Sequence, residues 1–159
     1  MQKEIRLEFS QSVDEIYAAY TNPDFIKAKL VALGARNIEV KIEEKAGMKV
    51  VIISREVQVE APGALRNFVN LWNKMTQTER WKGEKGGPYY GEMDIEIANA
   101  PVVVKSTMQL ESTNEGCAVE TLTSIKSNIP FLGRIMDNFM GEMTEKTIEE
   151  EFHFISENV

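Results

Sequence analysis

Residues 89–125 read YYGEMDIEIANAPVVVKSTMQLESTNEGCAVETLTSI, and the alternation within them decides the fold. Met93, Ile95 and Ile97 oppose Glu92, Asp94 and Glu96, a period of two that sets apolar side chains on one face of a strand. Asn99-Ala100-Pro101 turns the chain into Val102–Leu110, and Asn114-Glu115-Gly116 turns it again into Cys117–Ile125. Successive hairpins of this kind predict an antiparallel meander.

The same period recurs upstream, interrupted by two short helical stretches. Ile5–Phe9 alternates as a half-buried strand. Ser12-Val13-Asp14-Glu15 reads as a capping box, and Val13, Ile16, Tyr17 and Tyr20 follow at helical spacing. Asn22-Pro23-Asp24 opens a second helix with an apolar face of Phe25, Ile26, Leu30 and Leu33, which Gly34 stops. Ile38, Val40 and Ile42 then alternate with acids and a lysine, and Met48–Glu60 is a longer strand beyond the Ala46-Gly47 turn. After Ala61-Pro62-Gly63, strand character resumes at Met75–Lys82.

Downstream, the predicted element is a long helix. Asn128 is its expected cap and Pro130 lies in its first turn; Leu132, Met136, Phe139, Met143 and Thr147 form the stripe. Gly133 and Gly141 each cost about 1 kcal/mol in a helix interior relative to Ala. Close packing on the sheet, or room for a ligand, would be the compensation.

A chain of 159 residues predicts one domain, 1–159. Its 18 basic and 25 acidic residues leave a net charge of −7, which argues against a nucleic-acid partner, since phosphate binding needs clustered positive charge. One cysteine, Cys117, forbids an internal disulfide and fits a reducing compartment. One histidine, His153, with that cysteine cannot build the usual zinc site, so no metal and no cofactor is expected. Apolar runs such as Val50–Ile53 fall far short of the roughly 20 residues that span a bilayer. The expectation is a cytoplasmic protein with no stable membrane insertion.

The order is one strand, two short helices, about six more strands and a long helix: an α+β chain with one curved antiparallel sheet around that helix. With the capped Ser12-Val13-Asp14-Glu15-Ile16-Tyr17 helix and the Asn128-Ile129-Pro130-Phe131-Leu132 approach to the last helix, this order resembles the START-like (SRPBCC, helix-grip) superfamily. Polyketide cyclase/dehydrase-like proteins, lipid-transfer START domains and birch-pollen-allergen-like proteins share that architecture. The resemblance covers nearly the whole chain and lies closest to a bacterial branch with no assigned activity. It implies a cavity between the sheet and the final helix, and it transfers no catalytic signature.

Strand parity supplies a lining for such a cavity. Met93, Ile95, Ile97, Val104, Ser106, Met108, Leu110, Val119, Thr121, Thr123 and Ile125 share one face, with Met93 beside Ser106, Met108 beside Val119 and Ser106 beside Thr121. These residues suit a small-molecule pocket or, alternatively, a solid core. Arg55 shares a face with Val51, Ile53 and Val59, and Glu79 with Met75, Gln77 and Trp81. Pairing Val59 with Met75 would set Arg55 opposite Glu79. A charge on an apolar face needs a partner. Arg55, Gln77 and Glu79 are therefore candidate anchors for a ligand's polar head, with Trp81 beside them; the alternative is a solvent-facing edge pair contributing about 0–1 kcal/mol.

Leu65, Phe68, Val69 and Trp72 mark a connection long for a hairpin, either a lid or a satellite core. Met136, Phe139, Met140 and Met143 are candidate adaptable lining on the last helix, or plain core, and Glu150 falls near their stripe. His153 has no nameable acid or nucleophile nearby for catalysis. The first reading of function is binding, transport or sequestration of a hydrophobic or amphipathic small molecule or lipid. The alternatives are a cyclase/dehydratase-like enzyme using Glu79, Tyr89 or Tyr90, and a protein-interaction module without ligand.

Overall fold

The computed structural model describes residues 1–159. Its order is β1 (Gln2–Phe9), α1 (Val13–Thr21), α2 (Pro23–Ala32), β2 (Arg36–Lys45), β3 (Met48–Gln58), β4 (Trp72–Gly83), β5 (Tyr89–Ile97), β6 (Val102–Thr113), β7 (Gly116–Ser127) and α3 (Gly133–Asn158). The strands form one antiparallel seven-stranded sheet, ordered β1-β7-β6-β5-β4-β3-β2, curved around α3. The α1–α2 pair carries the chain from the β1 edge to the β2 edge. No helix is long and apolar enough to cross a membrane.

Local chemistry accounts for the helix starts. Ser12 Oγ accepts from the Glu15 amide at 3.2 Å, so half of the capping box forms; the Glu15 carboxylate makes no return bond. Asn22 Oδ1 accepts from the amides of Asp24 and Phe25 at 2.9 and 3.1 Å, with Pro23 as the first helical residue. The final helix begins later than the Asn128 cap predicts. Asn128 N is instead tied to Pro101 O at 2.9 Å, and Phe131 takes a left-handed φ of 66° that delays helical geometry. Ser127 does the anchoring: its hydroxyl donates to Gly133 O at 2.8 Å and its amide donates to Asp137 Oδ1 at 2.9 Å. Gly133 is thus the first helical residue, where the interior penalty does not apply, and Leu132 stands outside the helix. Gly141 is interior and lies against the Met1 and Lys3 side chains, where a Cβ would meet Met1 Sδ at 2.6 Å and oblige that flexible chain to shift.

Two of the expected registers slip, each by an even number of residues. Trp72 already pairs with Gln58, so β4 starts earlier than Met75 and Arg55 faces Met75, not Glu79. The two-residue Asn114–Glu115 turn pairs Thr113 with Gly116, which sets Met108 against Thr121 and Ser106 against Thr123. Met93 with Ser106 and Ile95 with Val104 pair as expected. An even slip changes neighbours and leaves each side chain on its face.

The core divides into two clusters. One gathers rings and aliphatics from all three helices, β1 and β3–β7, including Phe9, Tyr20, Trp81, Tyr89 and Leu110. The other lies under residues 61–69 and contains Leu65, Val102, Val104, Ile125, Ile129, Met136 and Met140.

Candidate functional site

The inner faces of β3 to β7 place the candidate side chains in rows across the sheet. Val51, Glu79, Met93, Ser106 and Thr123 make one row, and Ile53, Gln77, Ile95, Val104 and Ile125 the next. A cavity of about 120 Å³ remains between these rows and α3. Its sheet side is lined by Arg55, Met75, Gln77, Glu79, Met93, Ile95, Val104, Ser106, Met108, Thr121 and Thr123. Helix α3 contributes Met140, Met143, Thr144, Thr147, Ile148 and Glu151, while Leu7, Tyr20 and Lys29 close one side.

The polar end is a directed chain of hydrogen bonds. Arg55 Nη2 donates to Gln77 Oε1 at 3.0 Å, and Gln77 Nε2 donates to Glu79 Oε1 at 2.6 Å. Trp81 Nε1 donates to Glu79 Oε2 at 2.7 Å. Arg55 and Glu79 thus share a partner without touching, and both are deeply buried, at 7% and 3% exposure. That rules out a solvent-facing edge pair. Burial pushes the Glu79 carboxyl above its ordinary range, opposed by the Trp81 bond, Lys29 and Gln77. Burial likewise lowers Arg55, opposed by Glu151 and Glu79. Two guanidinium nitrogens of Arg55, Nε and Nη1, have no partner.

Lys29 and Glu151 belong to the site although neither stood out in the sequence. Lys29 is 6% exposed and its Nζ lies 3.5 Å from Glu151 Oε1. The signal was present: Lys29 falls at i+4 from Phe25 and i+3 from Ile26 on an apolar helix face, and Glu151 continues the Met143–Thr147 stripe at i+4. Glu150, by contrast, points to solvent.

Other expected lining residues lie elsewhere. Trp81 is 1% exposed and supports Glu79 from behind without lining the cavity. Its indole lies over Gly91, where a Cβ would sit 2.9 Å from the ring. Met136 and Phe139 line a separate void of about 20 Å³, which shares Met75, Met140 and Met143 with the larger cavity. Ile97 also borders that void, whereas Leu110 and Val119 are fully buried in the ring-rich cluster. Ser106 and Thr123 hydroxyls satisfy each other at 2.9 Å.

Of the candidate lid, Leu65 is fully buried, and Phe68 and Val69 pack on the second cluster. Trp72 is no part of that connection: it opens β4 and stacks under the Arg36 guanidinium, 3.7 Å from its ring centre. Tyr89 stacks on Tyr17 and donates to Asp14 Oδ1 at 2.6 Å, while Tyr90 and His153 are exposed. None of Tyr89, Tyr90 and His153 lines the cavity. A larger concavity, about 740 Å³, lies on the outer face among Arg6, Arg80, Lys82, Glu92 and Glu120; it is open and of mixed charge.

A curved antiparallel sheet gripping a long C-terminal helix, with a cavity between them, defines the α+β helix-grip class. Within it, the chain belongs to the family described as "Protein of unknown function (DUF2505)", which it matches over residues 4–159. No curated protein matches it. Among solved structures it is similar to a conserved protein of Geobacillus kaustophilus, at 15% identity and TM-score 0.64 over 99% of this chain and 93% of that one. A Thermus thermophilus protein aligns at 11% identity and TM-score 0.67, covering 98% and 97%. Norcoclaurine synthase from Thalictrum flavum, in complex with dopamine and hydroxybenzaldehyde, aligns at 16% identity and TM-score 0.61, covering 100% and 89%. At these identities the likeness is one of fold.

Proposed function

We propose that this chain is a START-like binding protein that takes up a small hydrophobic or amphipathic molecule between the sheet and α3. The observation that carries the reading is the cavity itself, apolar over most of its wall and polar at the Arg55–Gln77–Glu79 end. Binding pockets have this division, with apolar surface for affinity and a few polar groups for orientation. The norcoclaurine synthase likeness supports it at the level of fold, since that protein holds two small aromatic molecules in its complex.

The volume limits the occupant. About 120 Å³ is well below the roughly 300–1,000 Å³ of pockets for drug-sized ligands and near the roughly 150 Å³ cavity known to take benzene. The neighbouring void of about 20 Å³ adds little, so a lipid would require Met75, Met140 and Met143 to swing well aside and widen the space. Residues 63–69, closing the methionine end, are the segment to open for exchange.

The five methionines lining the cavity make a direct test. Toluene added to methyl-labelled protein is expected to shift Met75, Met93, Met108, Met140 and Met143 saturably, and to leave Met48, on the outer face, unmoved. Shifts confined to Met48, or none, would end the proposal. An enzymatic reading has one observation in its favour, the buried Glu79 carboxyl held toward its neutral form, as a general acid requires. A Glu79 titration at the ordinary value would remove it.

A further inference from the structure

We infer that the cavity's occupant is a small organic monoanion, a carboxylate on an apolar body about the size of benzene, and that Arg55 is the group it pairs with. The inference rests on the binding reading above and adds the charge and size of the ligand.

Arg55 is a buried cation without a counter-ion in contact. No carboxylate oxygen lies within 4.0 Å of its guanidinium, although every other deeply buried charge in the site has a close partner. Its one bond goes to a neutral amide oxygen, Gln77 Oε1. Nε and Nη1 are left without any acceptor and are sealed from solvent, so water does not take the place of a partner. Unpaired buried charge is costly enough that folded proteins seldom keep it without a use.

The neighbouring charges are already committed. Lys29 and Glu151 pair with each other. Both Glu79 oxygens accept from neutral donors, Gln77 and Trp81, and burial pushes that carboxyl toward its neutral form. Arg55 is thus the one cation of the site that no carboxylate contacts, and a single monoanion would pair with it. A dianion would have to be held against Glu151 as well.

The fork geometry suits a carboxylate. Nη2 stands at both edges of the guanidinium and spends one hydrogen on Gln77, so the opposite edge keeps a complete pair of N–H groups for two carboxylate oxygens. Presenting that edge takes a turn of the guanidinium toward the cavity it already lines. The wall beyond it is apolar, with Met93, Ile95, Met108 and Met143 among its residues, and the volume near 120 Å³ sets the size of the body.

Calorimetric titrations at pH 7 with benzoate, benzyl alcohol and toluene test this, with methionine methyl shifts locating each probe. Benzoate is expected to bind about tenfold or more tightly than benzyl alcohol, the worth of charge-assisted hydrogen bonds. Arg55→Met is expected to erase that preference while toluene binding persists, and Arg55→Lys to restore part of it, a point charge lacking the fork. Equal binding of benzoate and benzyl alcohol, or a preference that survives Arg55→Met, overturns the inference while leaving small-molecule binding intact. If no probe moves the cavity methionines, the binding reading falls and this inference with it. The ligand-free Arg55→Met protein is expected to melt no lower than wild type, since it loses a stranded charge. A clear drop would assign Arg55 a structural role through Gln77 and overturn the inference independently.

Discussion

Behind α1 the interior is filled with rings: Tyr17 lies flat on Tyr89 with centroids 3.8 Å apart, and both Tyr17 and Tyr20 meet Trp81, at 5.8 and 5.7 Å. Under residues 61–69 the filling is thioether and aliphatic, with Met136 and Met140 buried and Met143 and Phe139 packed against them. The flat rings close on one another around a satisfied Trp81–Glu79 bond. The methionine end keeps a void of its own, and three of its side chains separate that void from the main cavity. Rings have few rotatable bonds and fix a shape, whereas methionine adapts to what lies beside it. The ring end therefore holds the Glu79 carboxyl in position, and the methionine end is built to yield to an apolar body.

The largest effect expected is at the ring end. Trp81→Ala removes a fully buried indole, leaves a hole above Gly91 and strips one donor from Glu79, for a loss of about 3–5 kcal/mol in denaturant unfolding. A loss below about 2 kcal/mol would mean that this end collapses as readily as the other, and the contrast would fail. Met140→Ala is expected to cost less, about 2 kcal/mol, because flexible neighbours can partly fill the space. Met140 borders both voids, so the same change should also join them and strengthen toluene binding, read from the methionine methyl shifts. Unchanged binding would show that Met140 is not a partition.

This division was only partly legible in the sequence. Alternation from Tyr89 to Ile125 and the caps at Ser12 and Asn22 specify strands and helices locally, and one sheet around one helix is the simplest way to bury their apolar faces. Which residues face the cavity follows from parity, and parity survived slips of two and four residues. Which residues touch depends on turn geometry, and there Trp72 and Asn114–Glu115 set registers that counting along the chain did not capture. Lys29 and Glu151 went unseen for a different reason. A charge on an amphipathic stripe reads as a solvated face, and the packing of α3 near α2 is what brings the buried Lys29 to Glu151.

The subtlest test concerns the anchor's charge state. Since the folded protein holds the Glu79 carboxyl above its ordinary value of 4.5, the native state keeps a proton that the unfolded chain releases first. Between the two values the native state binds more protons, so this residue's contribution to stability is full below about pH 4.5 and is lost as pH rises through the folded value. Glu79→Gln removes the titration. Relative to wild type, the variant's unfolding midpoint should therefore move in its own favour as pH rises from 4 toward 8. At low pH the variant should be the weaker protein: its amide must present a donor to Gln77 Nε2 or to Trp81 Nε1, both donors themselves. A midpoint difference that stays flat across that range would place Glu79 at its ordinary value in the fold.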